Sequence, residues 1–315
     1  MPIYSAICTT DFLVEYRPSE HCVVDVPQAG TKCERRLWVA GSSGQSQYPS
    51  YFRTVQIFDA HNPGPAHTST PGYRTKQERI AIAGVDDLVI RSLADRQQFF
   101  DPLGEAERIG ISSAAWPLFG LVWPSGAHLA ARLALKPVRL GERILEVGCG
   151  LALASLVGHR RGADVTASDR HPLAEHFLEE NLRLNDLAPM KYRHGDWNGP
   201  VLPPERDDPP ALCLVRGQYD LIIGSDLLYE RDADAALAGF IARHASPAGE
   251  VWIADPDRGN RPAFNRQMLE EGFLLREERL DTPASACAAA YKGRLLVYRR
   301  APEQRVDRSG PLLFR

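Results

Sequence analysis

The segment Glu142-Arg-Ile-Leu-Glu-Val-Gly-Cys-Gly150-Leu-Ala152 constrains this chain more than any other. Residues 143 to 147 have the apolar character of a strand buried on both faces of a parallel sheet. Gly148 and Gly150 follow at once. Lacking Cβ atoms, they let the backbone turn sharply and approach a ligand, and a helical pattern begins directly after them. Strand, glycine turn and helix in that order require an α/β architecture. About 20 residues later, Val165-Thr-Ala-Ser-Asp169 predicts a second strand ending in an acid, placed to accept hydrogen bonds from the two hydroxyls of a ribose.

The same residues bear on which cofactor the turn serves. A dinucleotide turn has a further Gly or Ala three positions after the second Gly, where this chain has Leu153, and it binds pyrophosphate at the helix N-terminus. Here the small residues are Gly148, Gly150 and Ala152, and Glu146 stands two positions before the first. An acid at that point repels a pyrophosphate and suits a ligand with a positive centre. S-adenosylmethionine has a sulfonium, an amino group and a ribose.

The run resembles the acidic-x-Gly-x-Gly-x-Gly loop of class I S-adenosylmethionine-dependent methyltransferases, with Ala152 departing from the third Gly. Three further segments are similar to the seven-β-strand protein lysine methyltransferases, the nicotinamide N-methyltransferase-like group. They are Val122-Trp-Pro-Ser-Gly126, Gly195-Asp196-Trp197 and Ser225-Asp226-Leu-Leu-Tyr229. The resemblance runs from residue 122 to 229 and implies a strand order of 3-2-1-4-5-7-6. It also implies roles. Glu146 anchors the methionyl end of the cofactor, Gly148 and Gly150 admit it, and Asp169 holds the ribose. Asp196 bonds the adenine amine, Trp197 and Trp123 offer aromatic surface, and Ser225 borders the cofactor. Asp226 and Tyr229 form the catalytic pair: Asp226 orients the acceptor amine or the methionyl portion, and Tyr229 shapes the transfer channel. The cofactor implied is S-adenosylmethionine and the acceptor a lysine side chain of a partner protein.

Composition narrows the field by exclusion. With 37 basic and 40 acidic residues in 315, the chain has no global attraction to nucleic acid or an anionic membrane. It has no apolar run long enough to span a membrane and no basic-then-apolar leader, so the cytoplasm is expected. Six scattered cysteines without a C-x-x-C pair read as reduced thiols. Cys149, inside the glycine loop, reads as a small residue packing beneath the ligand. His171 and His176 miss the i, i+4 spacing of a shared metal ligand, so no metal is expected.

Along the chain, residues 1–74 read as a loop-rich or disordered extension, either an over-extended translation start or an ordered cover for the substrate. Residues 75–300 form the catalytic domain and 301–315 a frayed tail. The domain opens with a β-hairpin, residues 79–82 and 88–92 about a Gly-Val-Asp-Asp turn, followed by a helix from Ser125 to Leu135 entered through Pro124. Strands and helices then alternate over 143–148, 151–161, 163–169, 172–185 and 190–194. A Pro-rich and charged loop over 198–217 precedes strand 219–225, a helix around 236–244, strand 250–254, a helix from Pro262 to Gly272, and an antiparallel pair, 273–280 with 294–298. The fold class is therefore α/β, a doubly wound, mostly parallel sheet with helices on both faces. Ligands of such sheets bind past the carboxyl ends of the strands, where Gly148 to Gly150, Asp169, Asp196-Trp197 and Ser225 to Tyr229 fall. Three other readings stay open: transfer to a small amine or N-heterocycle, an NAD-dependent oxidoreductase, and a non-catalytic binding module.

Overall fold

The computed structural model describes residues 72–199, 213–284 and 290–301, together with four two-residue strands nearer the N-terminus. These are β1 (Ala6–Ile7), paired antiparallel with β2 (Leu13–Val14), and β3 (Cys22–Val23), paired antiparallel with β4 (Arg36–Leu37). The chain divides into two units, Met1–His67 and Thr68–Arg315. The expected extension over 1–74, the tail after 301 and most of the 198–217 loop lie otherwise outside the described residues.

In the second unit a hairpin comes first, β5 (Thr75–Ile80) with β6 (Leu88–Leu93), and a one-turn helix, α1 (Glu105–Arg108), follows. The first strand of the hairpin starts four residues earlier than the apolar pattern predicts. Lys76, Gln77 and Glu78 leave that part of the strand little apolar signal, and its place is set by pairing with β6, Thr75 opposite Leu93. The other side of β6 faces α4 (Ala174–Leu184). Asn181 accepts the Arg91 N–H at 2.7 Å, and Asn185, just past the helix, accepts that of Val89 at 2.9 Å. Asn185 returns a bond to the Val89 carbonyl at 2.8 Å. Two amide side chains four apart thus supply the hydrogen bonds a further strand would give.

The main sheet has seven strands: β7 (Arg143–Val147), β8 (Asp164–Asp169), β9 (Lys191–His194), β10 (Tyr219–Ser225), β11 (Ala245–Asp255), β12 (Phe273–Arg279) and β13 (Arg294–Arg300). Their order is β12-β13-β11-β10-β7-β8-β9, and β13 runs antiparallel to both neighbours while β7 to β11 pair in parallel. Numbered within the sheet, this is 3-2-1-4-5-7-6, as the resemblance implied. β11 begins earlier than expected because Ala245 pairs with Tyr219 ahead of a register shift.

Side chains alternate across the sheet with period two. Ile144, Leu221, Ile223, Trp252, Ala254, Leu295 and Val297 pack on one face with α2 (Pro124–Ala134), α3 (Leu153–Arg160) and α4. Leu145, Val147, Ile222, Val251, Ile253, Leu296 and Tyr298 pack on the other with α5 (Ala236–His244) and α6 (Arg261–Glu270). Both faces are thereby buried, which a parallel sheet requires. The carboxyl ends of β7, β8 and β10 open on one side.

Candidate active site

The floor of the cleft at those ends is the turn after β7. Gly148 and Gly150 take φ values of +55° and +50°, and a Cβ on Gly150 would stand 2.7 Å from the Phe119 carbonyl oxygen. Only glycine permits that approach. The Cys149 N–H donates to the Ser168 carbonyl at 2.9 Å, tying the turn to β8. The Cys149 thiol is buried, and burial, with the Asp169 charge adding to it, pushes its pKa well above the ordinary thiol value, which disfavours the thiolate.

Two carboxylates lie in this floor. Glu146 is 2 % exposed, and its Oε2 accepts the Ser155 N–H in the first turn of α3 at 2.7 Å. Burial pushes its pKa up to about 7, the Ser155 bonds oppose this, and the Asp169 charge adds to it. Asp169 closes β8. Its Oδ2 accepts the Gly150 N–H at 2.8 Å and its Oδ1 the His171 N–H at 2.9 Å. Burial raises the Asp169 pKa and these backbone bonds hold it back. The ribose candidate therefore also fixes the glycine turn. Each oxygen keeps a lone pair for a ligand.

A cavity of about 340 Å³ stands over this floor. Of the residues singled out from sequence, Trp123, Glu146, Gly148, Gly150, Asp169, Trp197, Ser225, Asp226 and Tyr229 line it. Asp196 does not. Its carboxylate is exposed and accepts the Asn198 N–H at 3.0 Å, while Asn198 itself is in the wall. Trp123 stands at the entry of α2 and its indole N–H donates to the Leu118 carbonyl at 2.9 Å, which fixes the ring. Asp226 is 8 % exposed at φ +58°, with its N–H bonded to the Ala254 carbonyl at 3.0 Å. Its Oδ1 pairs with Arg258 at 2.8 Å. Tyr229 is 43 % exposed at the rim.

His171 lines the cavity as well, and sequence reading weighed it only as a metal ligand. Its ring stacks on Phe119 with centroids 3.6 Å apart, its Nδ1 accepts the Leu173 N–H at 3.2 Å, and burial pushes its pKa down to about 3. Packed in this way and kept neutral by burial, it forms part of the cavity wall. Its place two residues beyond the strand-ending Asp169 was the available signal. Arg258 belongs to the segment Asp255-Pro-Asp-Arg258, whose sequence puts it at the substrate end of the sheet yet favours a turn with a helix cap, and its side chain also reaches the wall.

The site suits the cofactor inferred from sequence. A glycine turn without Cβ atoms leaves room at the cavity floor, and two buried acids, Glu146 and Asp169, lie in that floor. The family model described as lysine methyltransferase matches residues 120–270. The chain is 28 % identical over 145 residues to the electron transfer flavoprotein beta subunit lysine methyltransferase of Xenopus laevis, covering 45 % of this chain and 53 % of that protein. It is 29 % identical over 210 residues to the protein N-lysine methyltransferase METTL21A of Danio rerio, covering 64 % of this chain and 92 % of that protein. The chain thus spans about half the length of the first of these relatives. Among solved structures it is similar to the ribosomal protein L11 methylase of Lactobacillus delbrueckii subsp. bulgaricus, at TM-score 0.39 and 19 % identity over 57 % of this chain and 80 % of that one. All the cavity-lining residues at the strand ends fall inside the matched segment, apart from a few upstream of residue 120.

Proposed function

We propose that this protein is an S-adenosylmethionine-dependent N-methyltransferase that acts on a lysine side chain of a protein in the cytoplasm. The observation that carries the reading is the pair of buried carboxylates, Glu146 and Asp169, set on either side of a glycine turn, with Asp226 and Tyr229 lining the same cavity. Bound S-adenosylmethionine supplies an activated methyl group on a sulfonium. The protein's part is then to hold donor and acceptor in line and keep water out. Glu146 meets the cofactor's ammonium, Asp169 its ribose hydroxyls, and Trp197 and the stacked His171–Phe119 pair form its walls. Asp196 stays in the proposal as an adenine contact, one that needs its exposed carboxylate to turn inward. A lysine ammonium, with a pKa of about 10.4, has to lose a proton before it attacks, and Asp226 beside the cavity is placed to take it. Tyr229 at the rim guides the acceptor. A dinucleotide is the poorer fit, because Glu146 already occupies an amide at the N-terminus of α3, where a pyrophosphate would bind.

The test is calorimetric titration of the whole chain with S-adenosylmethionine, S-adenosylhomocysteine and NAD, followed by transfer of labelled methyl to proteins of a lysate and analysis for methyl-lysine. Binding of the first two ligands and label on lysine support the proposal. Label only on small amines moves the acceptor to that class, and binding of NAD alone ends the reading. Tyr229→Phe should bind cofactor as the wild type does and turn over roughly two- to tenfold more slowly, the effect of one lost hydrogen bond.

A further inference from the structure

The far wall of the cavity is made by the turn that leaves β11, and its residues are held unusually firmly. Asp255 is fully buried and its Oδ1 accepts the Arg258 N–H at 2.7 Å. Asp257 stands at φ +59°, and its carboxylate meets Arg294 at 2.7 Å and Arg279 at 3.3 Å, which pins the turn to β12 and β13. With the backbone fixed on both sides, the Arg258 side chain reaches inward. Its Nη1 lies 2.8 Å from Asp226 Oδ1 and 3.9 Å from Asp255 Oδ2, and its guanidinium lies 6.0 Å from the Trp123 ring centre. One residue therefore touches the ends of β10 and β11 and the entry of α2, the three elements that frame the acceptor side of the cleft.

We propose that Arg258 is a positioning residue, which sets the Asp226 carboxylate in the orientation that receives the acceptor amine. The inference rests on the assignment of Asp226 to the acceptor side. The Asp226 backbone is already held by Ala254, and its carboxyl meets Ser125 as well as Arg258, so these two residues set its rotamer and Arg258 is the charged one of the pair. The groups facing Asp226 are few: Arg258 and Asp255 from the β11 turn, Ser125 at the start of α2, and Tyr291, whose hydroxyl lies 2.9 Å from Ser125 Oγ. Of these Arg258 alone is a cation. Burial raises the Asp226 pKa and Arg258 opposes that rise, so removing the guanidinium moves the carboxyl further upward. A group acting as proton acceptor then works only at higher pH.

The experiment compares Arg258→Gln, Arg258→Lys and Arg261→Gln in the full chain. Arg261 meets Asp257 at 3.6 Å and serves as a control for loosening the same turn without removing the partner of Asp226. Three quantities are read: S-adenosylmethionine affinity, the pH profile of methyl transfer to lysate proteins, and the titration of the Asp226 carboxyl by carbon-13 NMR, assigned with Asp226→Asn. Arg258→Gln should bind S-adenosylmethionine within about threefold of wild type, lose about tenfold in transfer, and shift the acid limb and the Asp226 titration to higher pH. Arg258→Lys should recover part of each. Losses that match Arg261→Gln, with the pH limb and the Asp226 titration unmoved, overturn the proposal. If the wild type transfers no methyl to any protein, the proposed activity falls, and the NMR titration alone then decides whether Arg258 governs Asp226.

Discussion

The two halves of the cleft are built by different means. On the donor side, each acid is held by the main chain: Glu146 by the Ser155 N–H, Asp169 by the N–H groups of Gly150 and His171. On the acceptor side, pairs of side chains do more of the holding, with Arg258 on Asp226, Tyr291 against Ser125 and Arg294 on Asp257, beside main-chain bonds such as that of the Arg258 N–H to Asp255. Main-chain amides are set by the fold and bring no side-chain entropy cost of their own, so the donor side is rigid before any ligand arrives. The acceptor side rests on long polar side chains, whose replacement alters the site without touching the sheet. A cofactor common to many enzymes suits the first construction, and an acceptor that differs between relatives suits the second.

If the donor side is as rigid as this contrast implies, it breaks hardest when its backbone is disturbed. Gly150→Val should be the most damaging change. It places a branched Cβ in a left-handed conformation and 2.7 Å from the Phe119 carbonyl, at a cost of about 2–4 kcal/mol in folding stability by chemical denaturation. A variant that folds and binds cofactor normally would show that the turn is adaptable and the contrast false. Asp169→Ala comes next. It removes the ribose acceptor and also the anchor of the Gly150 and His171 amides, and should weaken S-adenosylmethionine binding by about 1.5–3 kcal/mol in calorimetry.

A gentler probe is pH. Burial pushes the Glu146 carboxyl up to about 7, so it is largely protonated at pH 6 and ionised at pH 8. An ammonium partner binds the ionised form. Affinity for S-adenosylhomocysteine, which has the amino group and lacks the sulfonium, should therefore rise about tenfold from pH 6 to pH 8 and then level off. A flat profile in wild type, or an identical rise in Glu146→Gln, removes Glu146 from the methionyl end.

The same contrast explains what was legible in the chain. The donor side lies within residues 143 to 171, where strand, glycine turn, helix and strand-ending acid follow one another in sequence, and periodicity alone places β7, α3 and β8 to within two residues or so of their observed ends. The acceptor side joins residues distant along the chain, Asp226 to Arg258 and Ser125 to Tyr291 across 166 positions. No local pattern reports such pairs. Arg258 therefore looked like a turn residue and His171 like a failed metal ligand. Asp196 is ambiguous in sequence, because an acid next to a Trp suits a ligand contact as well as a turn bond, and the bond it makes in the structure is the one to the Asn198 N–H. The sheet order needed the family resemblance as well, since alternation implies a parallel sheet without saying which strands are neighbours.

The smallest effect is expected where the loop departs from its family pattern. Ala152 begins α3 at φ +59° and ψ +37°, a left-handed conformation that glycine adopts freely and that costs an L residue about 1–2 kcal/mol. Its methyl group is fully buried, and burial of one such group contributes about 0.8 kcal/mol in return. Glycine would also add backbone entropy to the unfolded chain, about 0.5–1 kcal/mol against it. These terms nearly cancel, so Ala152→Gly should change folding stability by less than about 1 kcal/mol in either direction. Ala152 does not line the cavity, and cofactor affinity should stay within about twofold, well under the tenfold that 1.4 kcal/mol represents. A larger gain in affinity on restoring glycine would mean that the turn still flexes with Ala152 in place, and that the donor side is less finished than its hydrogen bonds indicate.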